Sequence, residues 1–194
     1  MDTRISCFRR YSEEMRSGGP FVFDDASLAQ WARPALRRLP RLAGSPIRIH
    51  CHPGLRDRRG AVHAGSFLRE RRIAFDCRRS EFSRIFVHEV FHFVWLRLGN
   101  SRRRSFEALL ASEHASHAKG ELGWSAEWRK CALRPFDLRR RTRRWREYCC
   151  ESFCDSAAWI FSGCKDHAEF TLSARFRGGR RRWFAEMTPP GLSI

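Results

Sequence analysis

A helix that carries two histidines in an apolar setting is encoded by Ser83-Arg84-Ile85-Phe86-Val87-His88-Glu89-Val90-Phe91-His92-Phe93-Val94-Trp95-Leu96. Apart from its first two residues, the histidines and the glutamate, every position is apolar, which is typical of a helix buried on all sides. Two imidazoles and a carboxylate are costly in such a helix unless a partner satisfies them. His88 and His92 are four residues apart and share one helical face, so both rings can reach one divalent metal ion.

The order His88-Glu89-x-x-His92 predicts a metal-dependent hydrolase. It is the zincin arrangement, in which the two histidines bind zinc and the glutamate between them is the general base for a water that the metal activates. Two core histidines, each satisfied by backbone or neighbouring side chains, are the alternative interpretation.

A catalytic zinc site takes three protein ligands, so a third has to lie elsewhere in the chain. The best candidates are in a later segment, where Glu147, Glu151 and Asp155 recur every fourth residue and so share one helical face. Like charges at that spacing repel, and a cation facing them would remove the repulsion. Glu147 is more easily explained as a solvated partner of Arg143 or Arg144.

Three alternatives for this third position remain open. His114 or His117 could bind the metal from an earlier helix. Cys150 and Cys154 are also four residues apart and could supply thiolates, although a carboxylate suits a hydrolytic site better. The carboxylates could instead pair with nearby arginines, namely Arg143, Arg144 and Arg146.

The two motifs together, His-Glu-x-x-His and Glu151-x-x-x-Asp155, resemble those of gluzincins, the zincin class that includes relatives of thermolysin and neprilysin. The resemblance implies Zn²⁺ held by His88, His92 and Glu151, with Asp155 accepting a hydrogen bond that keeps His88 in its metal-binding tautomer. It also implies hydrolysis of a peptide or protein substrate with Glu89 as the general base.

Two details of such a reaction are less defined by the sequence. An oxyanion donor is expected, and Tyr148, His167 or an arginine could serve. The substrate is expected to lie extended along an edge strand beside the helix, formed by residues 61–68 or 73–77.

The sequence predicts an α+β fold of the minimal zincin type, with a small, mostly antiparallel sheet packed against the active-site helix and a later ligand-bearing helix. Strands are expected at 47–50, 61–68 and 73–77. Helices are expected at about 25–38, 80–98, 105–119, 125–133 and 143–162. We expect one domain over residues 1–194, with a core of about 25–165 and a basic C-terminal tail of about 166–194.

The net charge of +17 has two explanations, a surface for nucleic acid or an Arg-rich codon usage. Because the arginines are spread over several clusters, contact with nucleic acid is possible but not favoured. A nucleic-acid-associated zincin regulator and a non-catalytic metal-binding module are the alternative functions. The chain opens without the apolar core of a signal peptide, and no apolar run approaches the roughly 20 residues that span a bilayer. We therefore expect a cytoplasmic protein with reduced thiols and no membrane partner.

Overall fold

The computed structural model describes residues 19–58, 60–188 and 191–194. The prediction that no signal peptide opens the chain falls on residues 1–18 and lies outside the described residues. In chain order the strands are β1 (Phe21–Phe23), β2 (Leu42–Ala43), β3 (Ile47–Cys51), β4 (Arg56–Asp57), β5 (Gly60–Ala61), β6 (Ala64–Phe67), β7 (Arg72–Phe75) and β8 (Leu192–Ser193). The helices are α1 (Ala26–Leu36), α2 (Arg79–Arg97), α3 (Asn100–Ala115), α4 (Trp124–Cys131), α5 (Pro135–Arg140), α6 (Arg143–Phe161) and α7 (Ala174–Met187). The α+β class predicted from the sequence is confirmed.

The main sheet has the strand order β1-β3-β7-β6 and is mixed. β1 pairs with β3 and β3 with β7 in parallel, and only the hairpin of β6 and β7 is antiparallel. The prediction of a mostly antiparallel sheet is therefore wrong. It overlooked β1, which α1 connects to β3 as a crossover, and a crossover of this kind joins parallel neighbours. It also did not anticipate that β7, and not β6, is the neighbour of β3.

Helix α2 is buried by neighbours on several sides, as its apolar sequence predicts. Phe82 packs on Phe75 of β7 with ring centroids 4.7 Å apart, and on Trp31 of α1 at 5.6 Å. Phe91 faces the other way and contacts Phe153 of α6 at 5.7 Å. The sheet, α1 and α6 therefore enclose α2, and the two helices that carry the sequence motifs pack directly on each other.

The last part of the chain adds a helix that the sequence analysis did not predict. Within the segment described as a basic tail, α7 packs Phe184 on Phe153 of α6 at 5.1 Å. After it, β8 pairs with β2. Among the described helices, none has the length and apolar character needed to cross a membrane. The seven cysteines of the described ranges are free thiols.

Arg180 of α7 is fully buried and holds α7 to the rest of the protein through ion pairs. Its Nη2 lies 2.7 Å from Glu113 Oε2, and its Nη1 lies 2.7 Å from Glu121 Oε2. Glu121 Oε1 also accepts a 2.6 Å hydrogen bond from the Tyr148 hydroxyl. Burial raises the pKa of Glu121, but Arg180 and Lys130 outweigh burial and lower that pKa to about 2. Glu121 and Arg180 therefore remain ionised in the interior.

We expect Arg180→Ala to lower the free energy of unfolding by about 3–5 kcal/mol, because it removes the cation that two buried carboxylates share and leaves Glu121 with Lys130 alone. Urea unfolding followed by circular dichroism measures the change. Arg182→Ala is the matched control, since Arg182 lies exposed on the same helix. An effect of Arg180→Ala no larger than that of the control would show that the network contributes little.

Candidate metal centre

The two motif histidines point their Nε2 atoms at each other from successive turns of α2. His88 Nε2 and His92 Nε2 lie 3.2 Å apart. Glu151 of α6 reaches the same point, with its Oε2 3.3 Å from His88 Nε2 and 4.0 Å from His92 Nε2. Two nitrogens and a carboxylate oxygen from two packed helices therefore form one group of potential metal ligands.

The spacing of these three atoms fits a tetrahedral metal ion. Zinc binds imidazole nitrogens and carboxylate oxygens at about 2.0–2.2 Å, so two such ligands of one ion lie roughly 3.3–3.5 Å apart. The separations of 3.2 and 3.3 Å are close to this range. The third separation, between His92 Nε2 and Glu151 Oε2, is 4.0 Å. It reaches this range when the two atoms move closer by roughly 0.5–0.7 Å. The donor set of two imidazoles and one carboxylate is also one that catalytic zinc uses.

The surroundings of the group favour positive charge. Burial lowers the pKa of His88, but Asp155 and Glu151 outweigh burial and raise that pKa well above its usual value. Burial likewise lowers the pKa of His92, whereas Cys150 and Glu151 raise it to about 9. For Glu151, burial raises the pKa, but the histidines and Arg129 lower it to about 2. A divalent ion can supply this positive charge in place of the protons.

Asp155 holds the far side of the His88 ring. Its Oδ1 lies 2.7 Å from His88 Nδ1, and its Oδ2 accepts a 3.1 Å hydrogen bond from the backbone N–H of Ala126 near the start of α4. Gly123 packs against this carboxylate, and a Cβ at position 123 would come within 2.2–2.4 Å of its atoms. Asp155 thus fixes Nδ1 as the protonated nitrogen of His88 and leaves Nε2 free for a metal.

Glu151 is held by a second contact on its other oxygen. Arg129 of α4 places its Nη2 3.2 Å from Glu151 Oε1, while Oε2 of the same carboxylate faces the histidines. The arginine therefore orients the carboxylate so that one oxygen faces the potential metal position. Glu147, one turn earlier, instead pairs with Arg143 at 2.6 Å on the surface, as the sequence predicts.

Glu89 faces the sheet and contacts the edge strand. Ser66 of β6 donates its hydroxyl to Glu89 Oε2 at 2.6 Å, and the same hydroxyl lies 3.0 Å from the Glu89 backbone oxygen. Because β6 ends the strand order of the main sheet, it is an edge strand. The structure thus places the predicted general base against the edge strand of the sheet.

The two predicted oxyanion donors have other partners. The Tyr148 hydroxyl donates to Glu121 inside the Arg180 network. His167 lies against Glu81, with Nε2 3.2 Å from Oε2, in a separate group that also contains Glu169 and is bridged by Arg84. We therefore do not retain Tyr148 or His167 for this role.

The structure also shows where the other candidates for the third ligand lie. In the described part of the chain, neither His114 nor His117 belongs to a group of potential metal ligands. Cys150 and Cys154 do, and Cys150 approaches His92 from its Nδ1 side, with Sγ 3.6 Å from Nδ1. Cys150 and Glu151 therefore meet opposite nitrogens of one ring.

Three residues at this centre carried no signal in the sequence. Ser66, Gly123 and Arg129 belong to segments with no recognisable motif, and each contacts a motif residue only after folding. A serine in a strand, a glycine before a helix and one of many arginines are too common to be singled out.

Comparison of the chain with protein-family models, curated proteins and solved structures gave no match.

Proposed function

We propose that this chain is a zinc-dependent metallopeptidase of the gluzincin type, with zinc held by His88, His92 and Glu151. The observation that carries the proposal is that Glu151 Oε2 meets His88 Nε2 at 3.3 Å while Asp155 takes the opposite nitrogen at 2.7 Å. Core histidines satisfied by single neighbours would not require a carboxylate at both ends of one buried ring. A ligand and the residue that orients it do require this arrangement.

Zinc, when bound, supplies a Lewis acid that lowers the pKa of water and polarises a carbonyl. Glu89 accepts the proton of the attacking water and returns it to the leaving amine, as a general base and then a general acid. Ser66 orients the Glu89 carboxylate through the 2.6 Å hydrogen bond to Oε2, which leaves the other oxygen to receive the proton. Asp155 and Arg129 orient His88 and Glu151 in the same way.

The substrate in this proposal is an extended peptide that pairs with β6. An edge strand presents unpaired backbone groups that a peptide can complete as an additional strand. Since Ser66 lies on β6 and contacts Glu89 directly, a peptide on this edge passes beside the general base. The segment 61–68, one of the two predicted edge candidates, contains this strand, whereas β7 lies inside the sheet.

We expect the purified full-length chain to retain zinc and to cleave members of a peptide library, detected by mass spectrometry. A chelator should abolish cleavage, and zinc should restore it. His88→Ala should lose both cleavage and tightly held zinc, because it removes one of three protein ligands. His117→Ala is the control, since His117 is exposed and belongs to no ligand group of the described residues. Retained zinc without cleavage of any peptide would instead indicate a non-catalytic metal-binding module.

A further inference from the structure

His92 has a second group of potential ligands on the side away from Glu151. Its Nδ1 lies 3.6 Å from Cys150 Sγ, and Cys154 Sγ completes a group whose ligand atoms all lie within 4.8 Å of one another. Cys154 is buried, whereas Cys150 and His92 are partly buried. The proposed peptidase mechanism uses neither sulfur.

The geometry of this group fits a metal ion that prefers sulfur. A thiolate at about 2.3 Å and an imidazole nitrogen at about 2.0–2.1 Å on one tetrahedral ion lie roughly 3.5 Å apart, close to the observed 3.6 Å. Residues 150 and 154 are one helical turn apart on α6, so both sulfurs face α2. A buried cysteine that serves only as a small apolar residue would pack on carbon, whereas Cys150 meets a ring nitrogen.

We propose that His92 Nδ1, Cys150 Sγ and Cys154 Sγ form a second metal site, selective for soft ions such as Cu⁺ and Cd²⁺. Binding requires both sulfurs as thiolates and Nδ1 without a proton, and the protons that the ion displaces go to solvent. A neutral imidazole has one nitrogen free for a metal, so a soft ion on Nδ1 moves the ring proton to Nε2. The soft ion therefore withdraws His92 from the site that contains Glu151, and the two sites exclude each other. This competition rests on the proposed function, whereas the thiolate site itself does not.

Titration of the metal-free full-length chain with Cd²⁺ tests the thiolate site, because thiolate-to-cadmium charge transfer absorbs in the ultraviolet. We expect a tight phase of this absorbance in the wild type and its loss in Cys150→Ala and in Cys154→Ala. Cys131→Ala should keep it, since Cys131 is an exposed thiol on α4. Circular dichroism checks that each variant is folded. Because Cys150 is half-buried and Cys154 is buried, Cys150→Ala should disturb the packing less than Cys154→Ala. A tight phase that survives loss of both cysteines would overturn the site.

Glu151→Gln separates this inference from the peptidase proposal. We expect it to keep the tight cadmium absorbance, because Glu151 does not belong to the thiolate site. Loss of the absorbance in Glu151→Gln would mean that the cysteines and Glu151 share one ion, which would overturn a separate site. If the wild type fails to retain zinc but shows the cadmium phase, the peptidase proposal fails and the thiolate site stands.

Competition is measured with zinc-loaded protein and a chromophoric zinc indicator. One equivalent of Cd²⁺ should release zinc from the wild type and release much less from the Cys150→Ala, Cys154→Ala double variant. Equal release from both proteins would show direct displacement of zinc and overturn the mutual exclusion. Cadmium absorbance without any zinc release would overturn it as well.

Discussion

Glu89→Gln is expected to keep the metal while hydrolysis falls by roughly 10²–10⁴-fold, the usual contribution of a general acid–base group. The amide is nearly isosteric with the carboxylate and can still accept the hydrogen bond from Ser66, so the packing around position 89 should survive. It cannot take a proton from water. Zinc content and kcat/KM for a peptide that the wild type cleaves, measured on the same preparations, give the two quantities.

Two further variants are compared with Glu89→Gln, one as a control and one with an intermediate expected effect. Glu147→Gln changes an exposed glutamate of α6 that pairs with Arg143 on the surface, and it should leave kcat/KM unchanged. Ser66→Ala keeps the Glu89 carboxylate and removes the hydroxyl that orients it, so its activity should lie between those of Glu89→Gln and the wild type. A Glu89→Gln protein that cleaves as fast as the wild type would rule out the general-base role.

The second large effect is expected from Glu151, with a smaller one from Asp155. Glu151→Ala removes a proposed zinc ligand and should nearly abolish zinc retention against a competing chelator. Asp155→Ala removes the acceptor at His88 Nδ1, and the loss of such an orienting partner typically costs about 10–100-fold in metal affinity or activity. Both changes are best made in a Cys150→Ala background, so that the thiols cannot retain zinc in place of the carboxylate.

The order of severity distinguishes the possible ligand sets. A stronger effect of Asp155→Ala would exchange the two roles, which the shared helical face allows. Negligible effects of both changes would contradict the assignment and return the third ligand to His114, His117 or Cys154. Glu147→Ala, one turn before Glu151 on the same helix, controls for the loss of a carboxylate as such.

Some features of this protein were determined by sequence alone because they depend on local geometry. The helical repeat places His88 and His92 on one face whatever surrounds them. The apolar run around them predicts a buried helix, and the structure has that helix at Arg79–Arg97. The same periodicity predicted α6 and the common face of Glu151 and Asp155. Strands were also predicted at 61–68 and 73–77, and these segments contain β6 and β7, which are neighbours in the chain and pair as a hairpin.

Other features depend on contacts between segments that are distant in the chain, and no local sequence pattern predicts them. The parallel pairing of β1 with β3 depends on how α1 crosses the sheet, and three residues are too short a strand to show a period. Arg180, Arg181 and Arg182 look alike in sequence, yet Arg180 is fully buried because only its position on α7 faces Glu113 and Glu121.

In the candidate metal centre too, some features followed from the sequence and others from the tertiary structure. That the two histidines could meet at one point followed from their spacing, whereas the arrival of Glu151 required α6 to pack on α2. Tertiary structure alone decided which nitrogen of His92 faces Cys150 and which faces Glu151. It also brought Ser66, Arg129 and Gly123 to the motif residues, since the energy of each contact comes from side chains that approach only when the whole chain folds.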